Sequence, residues 1–119
     1  MLANQTIHSL LGPLVDSRIY PHIAPQGATV PYIVWQVISA QPQNTLDGTT
    51  HHQWLRVQID IYDTSYDKTV SLSNEVTQTL SNGINLFIHS GTQQLYENDT
   101  KLFRQSIDYE FWQTTTPTL

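Results

Sequence analysis

Trp54-Leu55-Arg56-Val57-Gln58-Ile59-Asp60-Ile61-Tyr62 is the stretch on which the fold turns. Successive side chains of an extended chain point to opposite faces, so Leu55, Val57, Ile59 and Ile61 share one face and Trp54, Arg56, Gln58, Asp60 and Tyr62 the other. That alternation predicts a strand in a sheet with one face packed on a core and one polar. Near the end of the chain Phe103, Ile107, Tyr109 and Phe111 alternate in the same way with Arg104, Asp108 and Glu110, predicting a second long strand that ends at Trp112. Between the two, Thr64-Ser65-Tyr66-Asp67 fits a capping box, with Thr64 as cap and Asp67 reaching back. Tyr66, Val70, Leu72, Val76 and Leu80 then recur at helical spacing, and Asn82-Gly83 reads as a left-handed stop. The predicted helix spans about residues 65–81.

Outward from this centre the signals are shorter. Tyr32 to Ser39, directly after Pro31, is rich in β-branched and aromatic residues and reads as a well-buried strand. Ile7, Leu10, Leu11, Leu14 and Val15 have helical spacing, but Gly12-Pro13 interrupts them, so the first helix should end near Leu11. The segment 16–31 carries Pro21, Pro25, Gly27 and Pro31 and reads as an extended connector. Residues 41–53 hold no apolar side chain except Leu46 and read as a long polar loop. Asn85 to His89 suggests a short strand, Ser90-Gly91 a turn, and Leu95-Tyr96 a further short piece. The expected architecture is α+β: a single antiparallel or mixed β-sheet with two helices packed on it. One domain over 1–119 is expected, with a flexible C-terminal tail over 113–119.

Composition narrows the function. Charged residues are only 13% of the chain while Ser and Thr number 24, so the surface is mostly neutral and polar. Five Lys plus Arg face ten Asp plus Glu, a formal net charge of −5 that repels phosphate over most of the surface and argues against specific nucleic-acid binding. The absence of cysteine excludes disulfides, thiolate metal sites and thiol nucleophiles. The N-terminus lacks a basic and then long apolar region, and no stretch approaches the roughly 18 apolar residues of a membrane span. A soluble, unexported protein with no membrane partner is expected.

Candidate chemistry is thin. Phosphate-loop, dinucleotide, nucleophile-elbow and zincin patterns are all missing, so neither an enzyme nor a cofactor is expected. His51-His52 invites a metal reading, but adjacent residues in an extended segment face opposite ways and neither has a partner at ligand spacing. Asp60, Asp63 and Asp67 lack the spacing of a calcium loop; helix-terminus and strand-face roles explain them better. Trp54 and Trp112 stand out, since each lies opposite its strand's apolar alternation and is expected to be partly exposed. Large exposed aromatics mark interfaces unless another element covers them. Arg56, on the same face as Trp54, suits a subunit contact or an ion pair with Asp108 within the fold.

A longer pattern adds to this. Arg18-Ile19-Tyr20-Pro21, Ala24-Pro25-Gln26-Gly27 and Val30-Pro31-Tyr32-Ile33-Val34 come in order, followed by Arg56 to Tyr62 and by Leu102-Phe103-Arg104-Gln105-Ser106-Ile107-Asp108-Tyr109-Glu110-Phe111-Trp112. In order and spacing these resemble the tail terminator, or tail completion, proteins, minor tail proteins of long-tailed phages and prophages. The short first helix and the long polar segment 41–53 are departures from that pattern. The resemblance implies a structural virion protein at the head-proximal end of the tail, assembled in the host bacterial cytoplasm. It implies a homo-oligomer, a hexameric ring, that caps the tail tube, stops tube polymerisation and meets both the tail tube protein and a head-completion protein, with DNA only passing through the lumen. Arg18, Arg56 and Arg104 are its charged positions here; with Trp54, Trp112, His51 and His52 they make up the candidate subunit or tube interface. Two other readings compete: another head–tail joining or minor tail protein, and a small carbohydrate-binding or hydrolytic module using Trp54, Asp60 and Tyr62 on one strand face.

Overall fold

The computed structural model describes the backbone of residues 3–45, 48–84 and 87–114 and the side chains of 5–41, 53–84 and 87–112. Helix α1 (Ala3–Leu11) runs into a 3-10 helix (Gly12–Val15), then come strands β1 (Ile19–Pro21), β2 (Tyr32–Thr45) and β3 (Gly48–Asp63), helix α2 (Tyr66–Gly83), and strands β4 (Phe87–Glu97) and β5 (Leu102–Thr114). The strands form one five-stranded sheet in the order β1-β2-β3-β5-β4. Only the β1–β2 pair is parallel, so the sheet is mixed and the fold is α+β, as expected.

The alternation of the two long strands builds the core. Val57, Ile59, Ile61, Ile107 and Tyr109 are fully buried on one face of the sheet, with Leu55 and Phe111 beside them. Against that face α1 contributes Ile7 and Leu11, the 3-10 helix Val15, and α2 Leu72, Val76 and Leu80. Each such side chain withdrawn from water contributes about 1.5–3 kcal/mol. No helix among the described residues is long and apolar enough to cross a membrane.

Helix α2 starts one residue later than the capping-box reading placed it. Ser65 is the N-cap, its hydroxyl accepting from the Lys68 backbone N–H at 3.3 Å. Thr64 instead donates its backbone N–H (2.6 Å) and its hydroxyl (3.3 Å) to Asp63 Oδ1, because the chain must first turn out of β3. At the other end the expected left-handed stop is absent. Gly83 stays in the helix and Ile84, in extended conformation, closes it by donating to the Leu80 carbonyl. The physical use of Gly83 is contact: a Cβ there would sit 2.7 Å from Leu10 Cδ1, so the missing side chain lets α1 lie close against α2.

Several further expectations change. Within the supposed connector, Ile19–Pro21 pairs with Ile33 to Trp35 as a short parallel strand. The supposed loop over 41–53 is the outer part of a hairpin, in which β2 and β3 remain paired out to Thr45↔Gly48. The sequence of this stretch is polar at nearly every position, so backbone pairing forms it with no alternation to announce it. At about 3.3 Å per residue, the 16 residues of β3 account for the 52 Å length of a body only 27 and 25 Å across. Finally, the supposed turn at Ser90-Gly91 is a bulge between His89 and Gly91 within a continuous β4, which absorbs the piece expected at Leu95-Tyr96. The expected tail begins as strand, since β5 runs to Thr114; residues 115–119 lie outside the described residues.

Candidate functional site

The polar residues of the two alternating strands meet on the sheet face that the helices leave uncovered. Across β3 and β5 the register pairs Trp54↔Trp112, Arg56↔Glu110, Gln58↔Asp108, Asp60↔Ser106 and Tyr62↔Arg104. On β2, Tyr32, Val34 and Gln36 lie opposite Tyr62, Asp60 and Gln58 and extend the same surface.

At one end sit the two tryptophans, ring centroids 5.9 Å apart and tilted by 52°. Trp54 donates from its indole Nε1 to Glu110 Oε1 at 3.4 Å, and both rings are half-buried, between the covered and exposed readings of the sequence. Arg56 makes the intramolecular pair foreseen as one option, 3.9 Å from Asp108, with both side chains about half-exposed. Such a pair contributes at most about 1 kcal/mol.

About 26 Å along β3 lies a denser cluster. Tyr32 and Tyr62 stack at 4.8 Å with planes 19° apart, and Tyr20 meets Tyr32 edge-on at 6.2 Å. The Arg104 guanidinium lies 5.8 Å from the Tyr62 ring centre, is bound to Asp60 Oδ2 at 3.0 Å and reaches Glu97 at 3.9 Å. Burial disfavours the Arg104 charge, but Asp60, Tyr62 and Glu97 outweigh that and hold its pKa above the ordinary value. Burial pushes the Tyr62 phenol up to about 12, the Arg104 charge acting the other way and Asp60, Glu97 and Tyr32 adding to the rise. Tyr32 is raised too, by burial and then by Glu97 and Tyr20. Both phenols therefore stay neutral hydrogen-bond donors near pH 7. A cleft of about 490 Å³ opens beside them, between the connector residues 22–28 and the Glu97–Leu102 corner of β4 and β5.

Two of the sequence candidates, Trp54 and Trp112, are brought into contact, with Arg56 next to them. Arg104 belongs to the distant tyrosine cluster. Arg18 is apart from both: its Nε donates to the Pro31 carbonyl at 3.0 Å and its guanidinium lies 3.5 Å from Asp16, pinning the connector to the start of β2. His51 and His52 belong to β3 by backbone, and their side chains lie outside the described residues. Among the described residues no three His, Asp or Glu side chains converge as a metal site. Asp60 is buried and paired with Arg104, and the cleft beside Tyr62 is lined by neither Asp60 nor Trp54. The tyrosine cluster went unforeseen because β1 is three residues long and ends in Pro21; only its pairing with β2 brings Tyr20 to Tyr32. Aromatic edges, neutralised charges and hydroxyl donors on a slab of sheet suit contact with another protein surface.

A family model described as "Tail completion protein gp17" matches residues 1–114. No curated protein sequence matches the chain. Among solved structures, a chain described as "Virion of native gene transfer agent (GTA) particle" superposes with a TM-score of 0.52 at 9% identity, over 95% of this chain and 87% of that one. At that identity the likeness is one of fold.

Proposed function

The chain belongs to the tail completion protein gp17 family, and from that premise we propose that this phage tail structural protein closes the head-proximal end of the tail tube as a ring of six copies. The ring stops further addition of tube protein and presents the surface on which head-completion proteins dock. The observation that carries the reading is the extent of the family match, residues 1–114 of 119. The gene transfer agent virion chain shares the fold and comes from a particle of the same general kind. The formal charge of −5 suits a conduit through which DNA slides, since a basic lumen would grip phosphate. The hairpin of β2 and β3 gives the protein an arm with which to reach an adjoining ring. On this reading Trp54, Trp112, Arg56 and Arg104 on the open face, with Arg18, His51 and His52, are contact residues, and no catalytic step is assigned to the protein.

Deletion of the gene tests it. Overgrown tubes in electron micrographs of the mutant lysate are the expected outcome. Separate heads and tails of normal length would instead assign the protein to head–tail joining.

A further inference from the structure

We propose that neighbouring copies join edge to edge, strand β4 of one copy adding in antiparallel register to the outer half of β2 of the next, so that one sheet continues from subunit to subunit. The inference rests on the ring reading only for closure of the chain of contacts.

The sheet has two unpaired edges at opposite ends. β4 is the last strand on one side, and its 11 residues present one full row of backbone groups outward. On the other side β1 covers β2 only from Ile33 to Trp35, and the His22 N–H caps the Trp35 carbonyl at 2.8 Å. Beyond that, from Gln36 to Thr45, no described strand lies on the outer side of β2. Of that stretch, Gln36 to Gln41 precedes Pro42 and is the part open to a strand such as the middle of β4.

The side chains single out the same two edges. Among the described residues the exposed large hydrophobics are Ile23, Val37, Ile38, Tyr66, Ile88, Leu95 and Tyr96. Val37 and Ile38 stand on the uncovered part of β2; Ile88, Leu95 and Tyr96 stand on β4. Soluble proteins protect a long edge with charge, proline or an overlying element, because unpaired backbone is a template for another strand. From Phe87 to Tyr96 the β4 edge has neither a charged residue nor a proline, and Gln36 to Gln41 has neither as well; Pro42, which has no N–H to donate, bounds the stretch of β2 open to pairing. No like-charge repulsion therefore opposes their approach. The register of each edge strand with its inner neighbour also shifts, once in β4 between His89 and Gly91 and twice in β2, between Val37 and Ser39 and between Gln43 and Asn44. Bulges bend strands, and a sheet extended through such bends in every subunit curves, as a closed ring of head-to-tail contacts requires. Direction agrees: β2 and β5 run one way and β3 and β4 the other, so a rotated copy presents β2 antiparallel to β4.

The chain has no cysteine, so introduced thiols report cleanly. Ser39→Cys and Gln93→Cys, both at exposed positions, are made singly and together in the full-length protein, and tails purified from cells producing them are treated with a short bismaleimide linker, whose reach tolerates a register offset of a residue or two. The expected result is a ladder of cross-linked multimers from the double variant and none from either single variant. Gln41→Cys with Gln93→Cys repeats the experiment if the first pair impairs assembly. A dimer from Gln93→Cys alone means two-fold β4–β4 pairing and overturns the proposal, as does monomer only from both double variants in tails that contain the protein. A ladder that closes at a number other than six keeps the edge contact and refutes the hexamer. Sixfold rings in micrographs without a ladder keep the ring and refute the edge contact.

Discussion

The two faces of the sheet are made by the same two strands, yet they obey different rules. On the helix-covered face Val57, Ile59, Ile61 and Ile107 are fully buried within one hydrophobic cluster that includes residues of α1 and α2. One residue away along the chain, Gln58, Arg56 and Asp108 are partly or largely exposed, and their contacts are pairwise and local. The covered face is therefore specified by volume, where any loss leaves a cavity, while the open face is specified by charge matching and ring geometry. A surface that, apart from the Arg104–Asp60 pair, contributes little to stability but keeps two tyrosines and two tryptophans in ordered contact is available for binding another protein.

The contrast breaks most visibly at Ile59. Ile59→Ala should cost about 2–5 kcal/mol, read as a lower denaturation midpoint with unchanged slope. If it costs less than the open-face changes below, the division of labour is wrong. The next largest effect belongs to the open face's one buried charge. Arg104→Ala leaves Asp60 without its partner and should cost about 2–3 kcal/mol, most of it recovered when Asp60→Asn is added.

A smaller effect, on the covered face, depends on pH. The Tyr109 phenol, buried there, is pushed up to about 12 by burial, its hydrogen bond with Thr77 at 2.7 Å acting the other way. Folding holds this phenol protonated above its ordinary value of 10.0. Its contribution is therefore fully present below pH 10 and is lost as pH rises toward about 12. Thermal melts should be flat in this respect up to pH 10 and fall above it. Tyr109→Phe should flatten that fall by on the order of 1–2 kcal/mol. The smallest effect sharpens the comparison from the other side. Arg56→Ala should change stability by less than about 0.5 kcal/mol while lowering incorporation of the protein into tails, measured by quantitative blot of purified particles. Unchanged incorporation removes Arg56 from the interface.

What the sequence made legible follows from where burial leaves a period. β3 and β5 are packed on one face only, so their residues alternate, and both strands lie where the alternation places them. The outer hairpin is polar in sequence at nearly every position and β1 is three residues long, so neither offers a period, and backbone pairing alone defines them. At Gly83 the sequence signal was real but its cause was different, close approach of Leu10 rather than a left-handed turn. Of the candidate site, alternation anticipated the shared face of Trp54 and Arg56, and the registry of β3 with β5 supplied Trp112 beside them. The Tyr20–Tyr32–Tyr62 cluster depends on partners chosen across three strands, which no local pattern announces.

The arm and the core wall are one strand. β3 runs unbroken from Gly48 to Asp63, and β5 buttresses it without a register shift from Asp63↔Phe103 out to His52↔Thr114. Sliding the arm along its length by one residue would turn every buried side chain of β3 toward solvent, so the only motion open to it is bending. Mechanically it is a beam clamped at its root. A neighbour that grips the tip is held at the angle of the whole body, and a tilt of the body by a few degrees moves the tip by an ångström or more. If the arm reaches an adjoining ring as proposed, docking of one layer on the next is converted into an orientation that every copy must share.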